Sequence, residues 1–197
     1  MLRQVESRGA TEKVRKVRQR FGEVFRYAII TCCAGYNPAP DLASAMKLHK
    51  ANNYVHLTAK ELTEFLNELS AYTGSMITKI ATQLLILTGL RPREVRRAQW
   101  SEIDMENNVW EVPVEHMKMW RPHLVPLSHQ AMALLEQIKV VTGGYELIFR
   151  GHDFRKPISE ASINQVVKLI GYNGRATGHG FRHTMSTILH EKGYNSA

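Results

Sequence analysis

From Thr11 onward, Val14, Val17, Phe21, Val24, Phe25, Ala28 and Cys32 recur at steps of three and four residues. Lys13, Arg15, Lys16, Arg18 and Arg20 fall mostly elsewhere on the wheel, so the spacing predicts an amphipathic helix with a basic face. Gly35 and Asn37-Pro38 end it. The stretch from there to Asn53 holds two prolines and no sustained periodicity, and reads as a linker. A single helix cannot bury its own stripe, so residues 1–36 read as part of a domain whose remainder lies elsewhere. The competing reading packs this helix on the domain that follows.

A cleaner start signal comes next. Thr58-Ala59-Lys60-Glu61 fits a capping box, and Leu57 with Leu62 stand where a hydrophobic staple needs them, so a helix should run to about Ala71. Met76, Ile77, Ile80, Ala81, Leu84 and Leu85 give a second, almost wholly apolar helix closed by Gly89, which belongs at the centre of a core. Pro92 suits the first turn of a short helix carrying Glu94, Arg96 and Arg97. Its N-terminus should favour anions through exposed backbone N–H groups.

After Trp100 the period changes. Val109 to Val114 and His123 to Leu127 are short extended runs flanking a polar, aromatic turn, which predicts a β-hairpin with Pro113 and Pro126 at exposed edges. Ser128 then caps a helix through Ala131, Leu134, Leu135 and Ile138 to Gly143. Ile163, Val166, Val167 and Ile170 mark another before Gly171, and a last helix should start around His179 to Arg182 and reach Gly193. The sum is a mainly α chain with a small antiparallel sheet or hairpin.

Charge adds a partner to this picture. Across 197 residues, 26 Lys and Arg stand against 18 Asp and Glu, a formal net charge of +8. Such a field suits nucleic acid or another polyanion, although a merely soluble basic surface gives the same count. Cys32 and Cys33 are adjacent, which is neither a redox pair nor a zinc clip, so they read as small buried residues in a reducing compartment. No signal sequence or spanning segment stands out, and a soluble, cytoplasmic protein is expected.

The chemistry concentrates in Thr88-Gly89-Leu90-Arg91-Pro92-Arg93-Glu94-Val95 and in His179-Gly180-Phe181-Arg182, with Lys118 between them near the hairpin tip. Planar guanidinium groups match the non-bridging oxygens of a phosphodiester, whose negative charge grows as it is cleaved. A lysine can protonate a departing oxygen, and a histidine can bond the phosphate or move a proton. Glu94, one turn after Arg91, can orient an arginine or a histidine. Arg93, Arg96 and Arg97 spread around their helix and read as surface charges or phosphate contacts. The scheme needs no metal, and the nine histidines contain no His-Glu-x-x-His cluster that would favour a metal hydrolase.

The sequences TGLRPREV, HMKMWRPHLVPLS and GHGFRHTMSTILHEKG, in this order, resemble the tyrosine recombinase (phage integrase) family, P4-like prophage integrases in particular. The resemblance runs from the Val14 to Pro38 segment onward. It implies that Arg91, Lys118, His179 and Arg182 are catalytic and that Glu94 accompanies them. It also implies the reaction: a tyrosine attacks a DNA phosphate, leaving a 3′-phosphotyrosyl enzyme and a free 5′-hydroxyl, and a second strand reverses the step without ATP, cofactor or metal. Residues 1–36 then match the last helix of a core-binding domain, 37–53 a linker, and 54–197 a catalytic domain incomplete at its C-terminus.

The family places its nucleophilic tyrosine on a helix after the His-x-x-Arg pair. Only Tyr194 follows here, beside the helix-stopping Gly193, so the sequence reads as a fragment with no nucleophile of its own. Double-stranded DNA is the expected partner, with a tetramer on DNA for an intact relative and self-association for this chain, and no membrane. The alternative is a non-catalytic DNA-binding remnant that occupies attachment sites or pairs with an intact integrase.

Overall fold

The computed structural model describes residues 6–44, 55–114 and 123–194. The chain divides into two compact units, Met1–Asn53 and Tyr54–Ala197.

In the first unit, helix α1 (Thr11–Ile30) follows the expected periodicity but buries only Val14 and Gly22 along its length. In the segment expected as a linker, Asn37 and Ala39 pack back on the helix, while residues 45–53 lie outside the described residues. Asn37 Nδ2 donates to the Gly22 carbonyl at 3.2 Å, Arg18 Nη1 donates to the Ala39 carbonyl at 3.1 Å, and Ala39 is buried. A β-carbon on Gly22 would meet that of Ala39 at 3.4 Å, an ordinary packing distance. The expectation of buried cysteines is overturned: both Cys32 and Cys33 are exposed thiols. The helix stops at Ile30, Cys32 turns to φ 57°, and the amides of Cys33 and Ala34 both donate to the Ala28 carbonyl. Beyond the helix end, the stripe that would have buried Cys32 no longer exists. Val24, Tyr27 and Ile30 are also exposed.

The second unit opens with helix α2 (Ala59–Ala71), whose capping box forms as its sequence predicts. Glu61 N–H donates to Thr58 Oγ1, and Thr58 N–H donates to the Glu61 carboxylate at 3.0 Å. Leu57 is buried and Leu62 packs on the same core, as a staple requires. Helix α3 (Met76–Thr88) starts at the Ser75 cap and ends at Gly89, which takes the left-handed conformation at φ 62°. Helices α4 (Pro92–Arg96), α5 (His129–Thr142), α6 (Ser162–Leu169) and α7 (Gly180–Glu191) all pack against α3. The burial of Ile80, Ala81, Leu84 and Leu85 on α3 is explained by this central position.

Phe65 of α2 lies at the meeting point, with Tyr172 edge-on and Phe181 of α7 tilted, each with ring centroids 5.0 Å away. Burying one such ring stabilises the unit by about 2–3 kcal/mol.

The predicted hairpin is present with one strand more. Strands β1 (Ile103–Asp104), β2 (Val109–Val112) and β3 (His123–Pro126) form an antiparallel sheet in that order. Trp110 pairs with Ile103 on one side and Val125 on the other. Its ring is buried and its Nε1 donates to Glu102 Oε2 at 3.0 Å. Pro126 lies on β3, whose outer edge is open among the described residues, so its missing N–H costs no ladder bond. The β1–β2 turn is built on Asp104, whose carboxylate accepts from the Glu106 and Asn107 amides and from Asn107 Nδ2. Among the described residues no helix is long and apolar enough to cross a membrane.

Candidate active site

Gly89 is where the two motifs meet. Its left-handed φ closes α3 and turns the chain so that Leu90 is buried and Arg91 begins α4. Its carbonyl accepts a hydrogen bond from Arg182 Nη1 on α7, at 3.1 Å across 93 residues of sequence. Its bare Cα receives Met185 from the same helix, since a β-carbon at Gly89 would stand 2.4 Å from Met185 Sδ. Arg182 is thereby anchored two residues from Arg91.

Arg91 is held by Glu94. The carboxylate accepts from the Arg91 backbone N–H through Oε2 and from Nη1 through Oε1, each at 2.8 Å. Glu94 is 3% exposed, whereas the Arg91 side chain retains 39%. A buried carboxylate thus fixes one edge of a guanidinium and leaves the rest facing solvent, an arrangement suited to gripping an external anion. At the start of α4, where exposed backbone donors are expected to favour anions, the Arg91 N–H is the one that Glu94 accepts from.

Arg96 is a second correction. It is 8% exposed; its guanidinium donates to the Ile158 carbonyl and pairs with Glu160 at 3.1 Å, so it ties α4 to the segment before α6. Arg93 and Arg97 are exposed, as a surface role requires.

His179 stands exposed at the turn that leads into α7. The turn is tightly determined. Gly178 N–H donates to Asn164 Oδ1 at 2.9 Å, Gly180 N–H donates to Thr177 Oγ1 at 3.0 Å, and a β-carbon on Gly178 would meet Pro92 Cγ at 3.1 Å. Pro92 is the neighbour of Arg91, so the structure brings the His179 turn, Arg182 and Arg91 to one place. On the other flank, Gly180 lies against the Val55 carbonyl, and the buried Thr184 hydroxyl accepts from Leu57 N–H at 2.9 Å. Sequence reasoning missed Asn164, Thr184 and Met185, which have no motif of their own.

Lys118 belongs by sequence to the connection between Val112 and His123 and lies outside the described residues. Tyr194 does not approach this cluster through any contact seen. Its backbone N–H donates to the Leu189 carbonyl and that of Gly193 to His190, with Gly193 at φ 86°, a Schellman closure of α7. Its side chain is exposed. Among the described residues no three of His, Cys, Asp and Glu are grouped to hold a metal ion.

The phage integrase family model matches residues 56–197, and that of the phage integrase central domain matches residues 1–45. The chain is 44% identical to the integrase of Shigella phage Sf6 and 44% identical to prophage integrase IntS of Escherichia coli K12, in each case over 97% of this chain and 50% of the relative. It is 36% identical to the integrase of Enterobacteria phage P4, over 98% of this chain and 47% of the relative. The chain therefore spans about half the length of the curated relatives it matches. Among solved structures, the Tn1549 transposon integrase in complex with a circular intermediate DNA superposes with a TM-score of 0.84 at 19% identity, covering 98% of this chain and 72% of that one. A lambda integrase tetramer bound to a Holliday junction gives 0.72 at 20% identity, covering 97% and 58%. The fold is that of the tyrosine recombinase integrases, and the chain belongs to the phage integrase family, among its P4-like members.

Proposed function

We propose that this chain carries the phosphate-binding site of a site-specific DNA recombinase, which breaks and rejoins double-stranded DNA in the integration of a prophage or mobile element. The observation that carries the reading is the Gly89 junction: Arg182 docks on its carbonyl while buried Glu94 presents Arg91 beside it. Two guanidinium groups from segments 91 residues apart in sequence then bracket one phosphodiester.

In this reading Arg91 and Arg182 bind the non-bridging oxygens and stabilise the charge that develops as phosphorus becomes pentavalent. A tyrosine hydroxyl attacks phosphorus and gives up its proton to His179 or to solvent. The bond to the 5′-oxygen breaks, and that oxygen takes a proton from Lys118. His179 bonds the phosphate or passes the proton. The 3′-phosphotyrosyl link conserves the bond energy, so attack by a free 5′-hydroxyl restores DNA without ATP. Glu94 acts only through Arg91.

In this reading Tyr194 does not serve as the nucleophile, since it stands where α7 closes and no bond seen among the described residues links it to Arg91 or Arg182. The 197 residues alone therefore bind DNA without becoming attached to it. The test is incubation with a nicked suicide duplex followed by denaturing electrophoresis, with filter binding in parallel. Binding that weakens steeply with salt, that falls in Arg91→Ala and Arg182→Ala, and that leaves no adduct supports the reading. An adduct that disappears in Tyr194→Phe overturns the assignment of Tyr194, and affinity indifferent to both arginines overturns the site. The exposed Val24, Tyr27 and Ile30 on α1 further favour self-association, which sedimentation at increasing concentration measures.

A further inference from the structure

Two halves of the site come from opposite ends of the second unit, and one segment touches both. Residues 158–164 are gripped from α4 by Arg96, through the Ile158 carbonyl and Glu160. Six residues past Ile158, Asn164 on α6 grips the other half: its Oδ1 accepts from Gly178 N–H at 2.9 Å. That amide immediately precedes His179. Gly178 itself is wedged, for a β-carbon there would stand 3.1 Å from Pro92 Cγ, 3.5 Å from Ile163 Cγ2 and 3.6 Å from Asn164 Oδ1. The turn bearing His179 thus has α6 on one side and the first residue of α4 on the other.

Asn164 is an outward position of an amphipathic helix whose inward face is Ile163, Val166 and Val167. Burial therefore does not require an asparagine there. Its carbonyl oxygen nevertheless supplies the acceptor for a partly buried backbone amide fourteen residues away. A donor that loses its partner is costly, so the turn has a reason to stay in the one register that keeps this bond.

We propose that Asn164 is a positioning residue, which fixes the His179 turn beside Pro92, the neighbour of Arg91, by holding the Gly178 amide. This inference rests on the strand-exchange reading above, in which His179 meets the phosphate. Asn164 itself touches no DNA phosphate in this scheme. Its influence passes entirely through the His179 turn, and that makes it separable from a general contribution to stability.

A double-mutant cycle on the full chain tests it, with affinity for a short random-sequence duplex as the readout. Asn164→Ala is expected to weaken binding about five-fold, the scale of one hydrogen bond. In a His179→Ala background the same substitution should change affinity by less than about two-fold, because the residue it positions is gone. Amide exchange gives a second readout that does not depend on DNA. Gly178 N–H should exchange faster in Asn164→Ala and stay protected in Asn164→Asp, which keeps the acceptor. An equal loss of affinity in both backgrounds, or a Gly178 amide that remains protected in Asn164→Ala, overturns the proposal. Where Arg91→Ala and His179→Ala themselves leave affinity unchanged, the functional reading fails and takes this inference with it. Where they weaken binding and Asn164→Ala does not, only the role of Asn164 is lost.

Discussion

Helices α1 and α3 are written in the same language of three- and four-residue apolar steps, yet they end in opposite environments. Helix α1 buries two of its twenty residues, Val14 and Gly22, whereas α3 buries six of thirteen, including Thr78 and Thr82. Periodicity reports that a helix has a face to offer. It does not report whether a partner accepts it. For α3 four other helices do so, and the site is built on that rigidity: the C-terminal turn of α3 supplies the carbonyl on which Arg182 docks.

The sharpest way to break this contrast is to remove one aromatic ring from each unit. Phe65→Ala should destabilise the second unit by about 3–5 kcal/mol, because a fully buried ring leaves a cavity among packed aromatics. That is comparable with the whole stability of a small domain. Phe21 on α1 is partly exposed, and Phe21→Ala should cost no more than about 0.5 kcal/mol. Urea unfolding of the two variants measures both. A Phe21→Ala loss as large as that of Phe65→Ala would show that α1 is packed in solution as firmly as the core.

The same contrast explains which features are legible in the sequence. Features set by neighbours in sequence were legible: the Thr58–Glu61 box, the Ser128 cap, the Gly89 stop and the paired strands around residues 109–127 all form. Features set by distant partners were not. Arg96 looks like any surface arginine until Ile158 and Glu160, more than sixty residues later, surround it. Cys32 looks buried only if the stripe of α1 continues, and the stripe ends because the chain turns back toward Gly22. Strand β1 is two residues long and carries no period of its own. The site was legible as a set of residue types, and Glu94 beside Arg91 was legible because it is local. The Arg182 bond to Gly89 and the Asn164 bond to Gly178 needed the fold.

Glu94 offers the next largest effect, and it sharpens the comparison by testing a polar contact on the rigid side. In Glu94→Ala the Arg91 guanidinium loses its buried partner and the Arg91 N–H its acceptor. A stability loss of about 2–3 kcal/mol is expected, with weaker DNA binding as Arg91 leaves its orientation. Glu94→Gln retains an acceptor and should fall between. Unchanged DNA affinity in Glu94→Ala would show that Arg91 needs no orienting partner.

Gly89 tests the junction itself. In Gly89→Ala a β-carbon enters the left-handed region and would stand 2.4 Å from Met185 Sδ, though the thioether is flexible and can move. The backbone term alone costs about 1–2 kcal/mol. Displacing Met185 should also loosen Arg182, so DNA affinity should fall further than thermal stability implies. A matching Gly35→Ala just past α1 in the first unit, where a β-carbon meets nothing within 4 Å and φ is not positive, should leave both unchanged.

The smallest effect separates two carboxylates that look alike. Glu12 in α1 and Glu61 in α2 are both held down to about 2 from the usual 4.5. For Glu12 the causes are hydrogen bonds to Arg15 and Lys16, one turn away on the same helix. For Glu61 they are the Thr58 backbone and side chain, then Arg175 from the far end of the unit at 3.1 Å. A carboxyl with a depressed folded value stabilises fully above its unfolded value and loses that contribution as pH falls through the folded one. The window here runs from 4.5 down to about 2. Glu61→Gln should therefore melt below the parent at neutral pH, and the gap should close across that window and shrink in high salt, since both partners are exposed. Glu12→Gln should leave the melting of the second unit untouched at every pH, because the cations that lower its carboxyl, Arg15 and Lys16, stand on α1. Thermal melts of the three chains between pH 2 and 7 decide it: a gap for Glu61→Gln that persists at pH 2 would place the contribution in the uncharged cap and not in the ion pair that joins α2 to Arg175.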